Sequence, residues 1–526
     1  MRTIRSKLNK MCVSAQTAEP AFNTYTIPDT TYTVSSSDLF NIQPRRETNA
    51  NEANGKEEPD QVYYLGQTGK ASMNLDKAMP QHFGFILAYA LGLCTSTKIG
   101  TKAYQHDIRP LLSDVDIQRS NPTFTASQRY AEVARRRFDS CAVDTVTVSF
   151  EKDSFAKLKA ELLASGSVKD NLATVEVVAA PDANSLTLPL YAVDGSTDAE
   201  RLSSIHLIQC ELAPGVWYDV TAIGVSAGLD AVVSLIPLVQ DAGGGNYNVY
   251  VDGVYEPGVY ESSTEKTYRV LFAPRNDAQL DTIQSTQDAT ILTVSEPIAG
   301  DDMTEQLTNI LAIKAFDGTD VTPTAVNGNE ITIPPYDSAV SDACEYKVYF
   351  VKAVNWQVEP DKLIESALRV SGLRLTVGGY WSDDDQKLYG GRVMRCELNS
   401  IEWQFKNNLK YEFCAGTAGD YANRCWRDGR EQTLSIDREL RDFIYQKGLE
   451  KEETFALSME AVGMSIEDGI DYKLDIVFPA VTLLDSQISD SDKRDTEKME
   501  LQVLQKDNAP SVAVTVVNCV PAYCQL

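Results

Sequence analysis

Strict alternation of apolar and polar residues recurs at both ends of this chain and is broken in between. Val146, Val148 and Phe150 alternate with Thr145, Thr147 and Ser149. Past residue 450, Phe455, Leu457, Met459 and Ala461 do the same, then Tyr472, Leu474, Ile476 and Phe478, then Val512, Val514 and Val516. A period of two belongs to a strand with one face on a core, because successive side chains point to opposite faces. We read the two blocks, roughly Gln61–Gly166 and Ser371–Asn518, as halves of one β-sandwich divided by a long insert.

Charge separates the insert from its flanks. The 526 residues carry a net charge of −27. Residues 1–170 hold 21 basic and 19 acidic groups (+2), residues 171–360 hold 7 and 27 (−20), and residues 361–526 hold 20 and 29 (−9). An acidic middle third cannot wrap nucleic acid by neutralising phosphates. It reads as a solvated, exposed module. With 43% hydrophobic residues the chain can bury real cores, and its length fits about three to four domains. No apolar run reaches the roughly 18 residues of a membrane-spanning helix. The basic start Met1–Lys10 leads into polar Ser14, Gln16 and Thr17 rather than a secretory apolar core, which points to synthesis in the cytoplasm.

Local patterns supply the domain map. Residues 1–60 read as an N-terminal arm and flexible loop, ending in the Asn/Glu-rich Arg45–Gly55. Residues 61–172 open the sandwich with a hairpin-like start, one helix and strands. In the helix, Phe83, Ile86, Leu87, Ala90, Leu91 and Cys94 form one apolar stripe, with Pro80 near its start and Gly92 marking its end. Residues 156–162 fit either periodicity, and a resemblance to a known family, given below, favours a strand. In the insert, short β runs such as Thr174–Val178, Thr267–Phe272, Glu330–Ile333 and Glu345–Val351 stand between Gly/Pro/Asp turns. That spacing predicts one or two immunoglobulin-like sandwiches, 173–275 and 276–360, with a joint at Pro274–Asp277. Residues 361–526 complete the divided sandwich, and the charged stretch Arg438–Gly448 reads as a helix or loop. The expected fold is mainly β: a sandwich or barrel with one packed helix, interrupted by inserted β modules.

No catalytic constellation emerges. Gly66–Lys70 superficially resembles a phosphate loop but has two residues between its glycines instead of four, and Ala71 replaces the required Ser/Thr, so a turn is expected. Neither a Gly-x-Ser-x-Gly elbow nor His-Glu-x-x-His occurs. Ten cysteines without a Cys-x-x-Cys, and three histidines (His82, His106, His206), argue for buried small hydrophobes rather than zinc or redox chemistry. Asp301-Asp302 and Asp317–Asp320 lack the rest of a calcium loop, and Asp383–Asp385 reads as a solvated hairpin tip. Arg135-Arg136-Arg137 lacks the aromatic interleaving of single-strand binders and is read as an inter-subunit ion-pairing patch. No enzyme activity, cofactor, metal or catalytic residue is assigned.

The order Leu65-Gly66…Gly69-Lys70-Ala71-Ser72, a helix closing on Leu91-Gly92, Tyr104-Gln105-His106, Pro122-Thr123-Phe124-Thr125 and Phe138–Val146 resembles the tail tube (major tail) proteins of long-tailed bacteriophages. Leu398–Trp403, Phe478-Pro479-Ala480 and Val517-Asn518 resemble the second half of the same domain. The match runs in order over about 60% of the chain; the large insert and the long N-terminal arm have no counterpart in the minimal family domain. The resemblance implies a structural virion protein whose sheets join into homo-hexameric rings, stacked as a tube through which DNA passes as non-specific cargo. Tape-measure, terminator and baseplate or tip proteins would be its other partners, and the insert would decorate the outside. A net negative lumen is expected. The alternative is a surface adhesin of linked β-sandwiches that binds a glycan or receptor, for which a signal peptide or fibre repeat is missing.

Overall fold

The computed structural model describes the chain apart from residues 1–8, 33–37, 50–57, 112–120, 131–133, 189–192, 196, 229, 244–245, 252, 259–264, 276, 301, 354, 383–386, 395–396, 416–419, 452, 492–493, 507–508 and 526. It is mainly β, with 58% of residues in strands and 7% helical. Two compact units emerge. The larger comprises Ser6–Gln128, Arg137–Lys169 and Glu359–Leu526, and the smaller Arg129–Arg136 and Asp170–Val358.

In the larger unit we label, in chain order, β1 (Asn41–Thr48), β2 (Val62–Leu75), α1 (Pro80–Leu91), β3 (Gly92–Lys98), β4 (Tyr104–Pro110), β5 (Ala134–Glu151) and β6 (Lys157–Ala164). Beyond the smaller unit follow β7 (Leu373–Val377), β8 (Arg392–Met394), β9 (Leu398–Lys406), β10 (Glu431–Glu439), α2 (Ile444–Glu450), β11 (Thr454–Glu467), β12 (Ile470–Ser491), β13 (Arg494–Val503) and β14 (Ala513–Asn518). Antiparallel pairing gives one eight-stranded order, β1-β2-β6-β5-β9-β10-β13-β12. A second order, β8-β7-β11-β12-β14-β4-β3, shares β12 with the first.

The shared strand explains itself in sequence. Lys473–Val477 pairs with β14, and Val481–Ser491 with β13, so β12 changes partner around Pro479. Proline has no N–H to give a ladder, and a change of partner is where that loss costs least. The sequence expectation ended this strand at Pro479; it runs on for another dozen residues.

Between the two sheets lies α1, every residue of which is buried. The apolar-stripe expectation is corrected here: a helix enclosed on all sides needs apolar or bonded residues all round. Gly92 ends it with φ +99°, in the left-handed region, and starts β3 directly. Gly84 faces the Tyr523 ring so closely that a Cβ there would lie 2.4 Å from it. Trp403 of β9 and Phe478 of β12 meet edge to face at 5.5 Å, sealing the core.

Two further expectations change. Residues 10–48, read as an arm, contribute strands Lys10–Val13, Thr30–Tyr32 and β1 to the sheets, with Met11 and Val13 fully buried. The Gly66–Lys70 stretch is the middle of β2 rather than a turn. Gly66 (φ +111°) sits where the register shifts opposite Arg45 and Arg46, a bulge only glycine enters without strain. The ambiguous residues near 160 form β6, as assigned.

The smaller unit holds two apolar cores, one spanning Leu186 to Phe272 and the other Leu292 to Phe350. The two repeat each other. Strand Ala173–Ala179 corresponds to Ala278–Thr286, helix Asp198–Ser203 to Met303–Thr308, and strand Ile205–Ala213 to Ile310–Lys314. Gly195 (φ +130°) precedes the first helix as Gly300 (φ +128°) precedes the second, and the caps Thr197 and Asp302 each accept backbone N–H bonds. Each of these pairs lies 105 positions apart, the signature of a tandem repeat.

Candidate assembly surface

On the eight-stranded sheet, residues whose neighbours face the core point outward in rows. Asn74, Lys159, Thr147, Gln404, Thr433, Gln502 and Thr482 are successive partners across seven strands. Beside them run Lys157, Ser149, Glu402, Ser435, Glu500 and Asp485. Five lysines (Lys70, Lys157, Lys159, Lys406, Lys498) and Arg494 stand on this face against eight carboxylates (Glu151, Glu161, Glu402, Glu431, Asp437, Glu439, Asp485, Glu500), a net of −2. The wall is therefore polar, rich in short hydroxyl and amide side chains, and mildly acidic.

Among the described residues neither edge of this sheet has a further strand paired to it, although α2 packs against β12. β1 pairs only with β2, and seven of its eight residues are exposed. Next to it on β2, Val62, Tyr63, Tyr64 and Leu65 are 41–61% exposed. At the opposite edge, the last part of β12 pairs only with β13, and Leu484 and Ile488 are exposed. Contiguous exposed apolar residues on strand edges mark surfaces that another chain covers.

The second sheet presents a charged ladder: Arg374, Glu460, Asp475, Thr515 and Asp107 are successive partners. Lys473 bonds Glu460 at 2.7 Å and Asp475 at 3.3 Å. Burial raises the Asp475 pKa against the pull of Lys473. Burial would lower Lys473, but its two carboxylate partners outweigh that and raise it. The hairpin Tyr380–Ser382/Lys387–Tyr389 flanks a cavity of about 810 Å³ over this ladder. Lys473 is held by both Glu460 and Asp475 within the ladder, and we assign it a structural role.

Polar groups are also built into the core. Arg438 is fully buried; its Nε donates to Glu497 Oε2 at 2.8 Å, and Glu497 is itself fully buried. Glu397 lies at 3.8 Å and Asp442 at 3.2 Å, and the Tyr445 ring lies 4.5 Å from the guanidinium carbon. Arg392 reaches Asp442 at 2.8 Å and Glu397 at 3.4 Å. The charged stretch Arg438–Gly448 was expected to be a helix or loop. Part of it is α2, but its first residue anchors the interior. Glu365 accepts from the N–H groups of Gln81, in the first turn of α1, and of Cys519, at 2.7 and 3.0 Å. Burial raises its pKa to about 7, against those two bonds. Glu19 accepts from Thr123, Thr125 and both the N–H and hydroxyl of Ser140, and burial still raises its pKa.

The remaining sequence candidates fall into local roles. Arg135 Nη1 donates to the Gln357 carbonyl, Arg136 pairs with Asp170 at 2.6 Å, and Arg137 pairs with Asp139 at 2.8 Å while lying 3.9 Å over Tyr25. All three arginines therefore have intrachain partners, unlike the inter-subunit patch expected of them. Asp317 closes its own turn by accepting from Thr319 and from the Tyr336 hydroxyl. Asp383–Asp385 and Asp301 lie outside the described residues. Among the described residues no cluster of three His, Cys, Asp or Glu is gathered for a metal. His106 bonds Ser96 and Asn518 inside the core, and burial lowers its pKa. The open edges were missed in sequence because pairing partners are not written there; the one usable signal was Val62–Leu65, four apolar residues in a row beside the Arg45-Arg46 strand. No family model matches this chain, and no curated protein sequence matches it.

Proposed function

We propose that this chain is a structural subunit of a bacteriophage tail tube, self-assembling into stacked, hexameric rings through which DNA passes during ejection. The observation that carries this reading is the eight-stranded sheet with a polar, mildly acidic outer face and two open edges. A bore must let a polyanion slide, and a wall of hydroxyls and amides with a net −2 neither grips phosphates nor repels them strongly. Open edges that are an aggregation liability in a monomer become joints in a ring. The order of elements that resembles tail tube proteins, with a packed helix between strands, agrees with the same reading. The smaller unit is then a pair of immunoglobulin-like modules decorating the outside, carrying the −20 that would otherwise be assigned to the lumen. Tape-measure, terminator and baseplate proteins are the expected neighbours in the virion.

Negative-stain electron microscopy of the purified full-length chain tests the reading. Rings or tubes of uniform diameter are expected. Monomers or isolated rods at every concentration and salt condition would overturn it and favour the adhesin.

A further inference from the structure

We propose that the cavity of about 810 Å³ over the charged ladder binds a short acidic saccharide, one that carries a carboxylate among its hydroxyls. This goes beyond the tube reading and does not depend on it. The volume falls in the range of small-ligand pockets, roughly 300–1,000 Å³.

A bend in one hairpin builds the cavity. Strands β7 and β8 pair Leu375 with Met394 and Val377 with Arg392, and Tyr380 with Tyr389 and Ser382 with Lys387 continue the same register farther out. The two rows between them hold only glycines, Gly378 and Gly379 facing Gly391 and Gly390. All four lie in the left-handed region, at φ +78° to +95°, which glycine enters without strain. A Cβ on Gly379 would lie 2.5 Å from the Tyr389 carbonyl oxygen, and one on Gly391 would lie 2.7 Å from that of Gly378. Beyond this bend the hairpin packs against β11 and β12, and Lys387–Gly391 forms one wall of the cavity.

The floor is a row of acceptors on the second sheet. Glu460, Asp475, Thr515 and Asp107 stand on successive strands, about 4.8 Å apart. A carboxylate has about four lone-pair sites, so those already held by Lys473 and Thr515 can still accept. An extended peptide turns N–H groups to one side only at every second residue, about 6.7 Å apart, and does not match this row. The hydroxyls around a sugar ring are more closely set, and each can donate.

The walls also call for negative charge. Arg374 on the floor and Lys387 on the hairpin are exposed and pair with no carboxylate among the described residues. With Arg109 and Lys473 they make four cations in the lining against three carboxylates, a net +1 in a chain of −27. Inorganic phosphate would satisfy the cations but has little to donate to the floor. A saccharide carboxylate suits the planar fork of Arg374, while its hydroxyls meet the acceptors. Tyr389 lines the same cavity, stacked with Tyr380 at 5.7 Å, and offers a flat ring to the apolar face of a sugar.

Isothermal titration calorimetry of the full chain at low salt, with trigalacturonate and with sialyllactose, tests the site. At least one of the two is expected to bind, and neutral maltotriose to bind at least about tenfold more weakly. Arg374→Gln and Lys387→Gln should each weaken the acidic sugar by about tenfold, and Gly391→Ala, which displaces the hairpin wall, should do the same. Both charged sites are exposed, so unchanged thermal midpoints of R374Q and K387Q separate lost binding from lost folding. If neither acidic sugar binds, or if these variants bind it as well as the unaltered chain, the site is wrong. Equal or tighter binding of inorganic phosphate or of a short glutamate peptide would also overturn it. None of these measurements needs rings, so the site and the tube reading fail separately.

Discussion

Replacing Arg438 by methionine tests whether the core of the larger unit depends on a buried charge. The guanidinium and the Glu497 carboxylate are both fully buried and 2.8 Å apart. At an effective dielectric of about 20, two unit charges at that distance attract by roughly 6 kcal/mol, most of which offsets the cost of removing both from water. The pair is therefore worth little against an apolar replacement, yet breaking it is expensive. In Arg438→Met, Glu497 keeps only the Ser486 hydroxyl (2.7 Å) as a side-chain donor, and Glu397 keeps only Arg392. A loss of about 3–5 kcal/mol follows. The double variant Arg438→Met/Glu497→Met removes both charges and leaves Glu397 to Arg392, so it should be more stable than the single one.

Urea unfolding followed by tryptophan fluorescence gives these differences, since Trp403 is buried in the larger unit. A loss under about 1 kcal/mol at pH 7, or a double variant no better than the single, would refute the reasoning.

Three further outcomes follow from the same structure. Glu365 has a folded pKa of about 7, above its ordinary value of 4.5. The folded chain thus holds its proton more tightly, and this group's contribution is fully present below about pH 4.5 and lost as pH rises through 7. The loss is roughly 3 kcal/mol; denaturation midpoints of Glu365→Gln should lack that decline between pH 5 and 8, and an unaltered slope would contradict it. Gly84→Ala would press a methyl into the Tyr523 ring, and despite about 1 kcal/mol of gained helix propensity it should lower the thermal midpoint, by about 1–3 kcal/mol in equivalent stability. Deleting 173–360 with a short linker should leave a soluble chain that still forms rings; a monomeric, unfolded product would mean that the smaller unit is part of the assembling core.

Element type was legible wherever periodicity was strong. β5, β11, β12 and β14 were readable because each puts one face on a core, and Gly92 marked the helix end because a left-handed cap needs glycine. Element extent and surroundings were not. Nothing in Pro80–Leu91 says whether a helix lies on a surface or between two sheets. Pro479 reads as a strand end unless the strand is known to change partners there. Gly66 reads as a turn until its opposing residues are known. The tandem repeat was hidden because its two copies share turn chemistry and caps, Gly195 with Gly300 and Thr197 with Asp302, more than they share core residues. Buried Arg438 and Glu365 were invisible for a related reason. Their partners lie 59 and 284 positions away, so a charged residue that a sequence assigns to solvent can be the one a fold encloses.

Those distant partners also explain how one sheet system tolerates an interruption of about 190 residues. The flanking stretches of the larger unit are joined by buried polar bonds as well as by strand pairing. Glu365 receives the Gln81 N–H, and Asn407 donates to the carbonyls of Ala90 and Val143 at 2.9 and 3.0 Å. Leu409 N–H donates to Asp144 at 2.7 Å, and His106 meets Asn518 at 3.0 Å. Each such bond is worth about 1 kcal/mol when made and about 1–3 when one partner is left buried alone. Closing a flexible loop of about 190 residues costs on the order of 5 kcal/mol, and doubling it adds only about 0.6. Because the penalty grows so slowly with length, enlarging the insert adds little to it. Cutting the bonds between the flanks should therefore cost more than lengthening the insert, and Asn407→Ala should destabilise the larger unit more than adding twenty Gly/Ser residues at position 173.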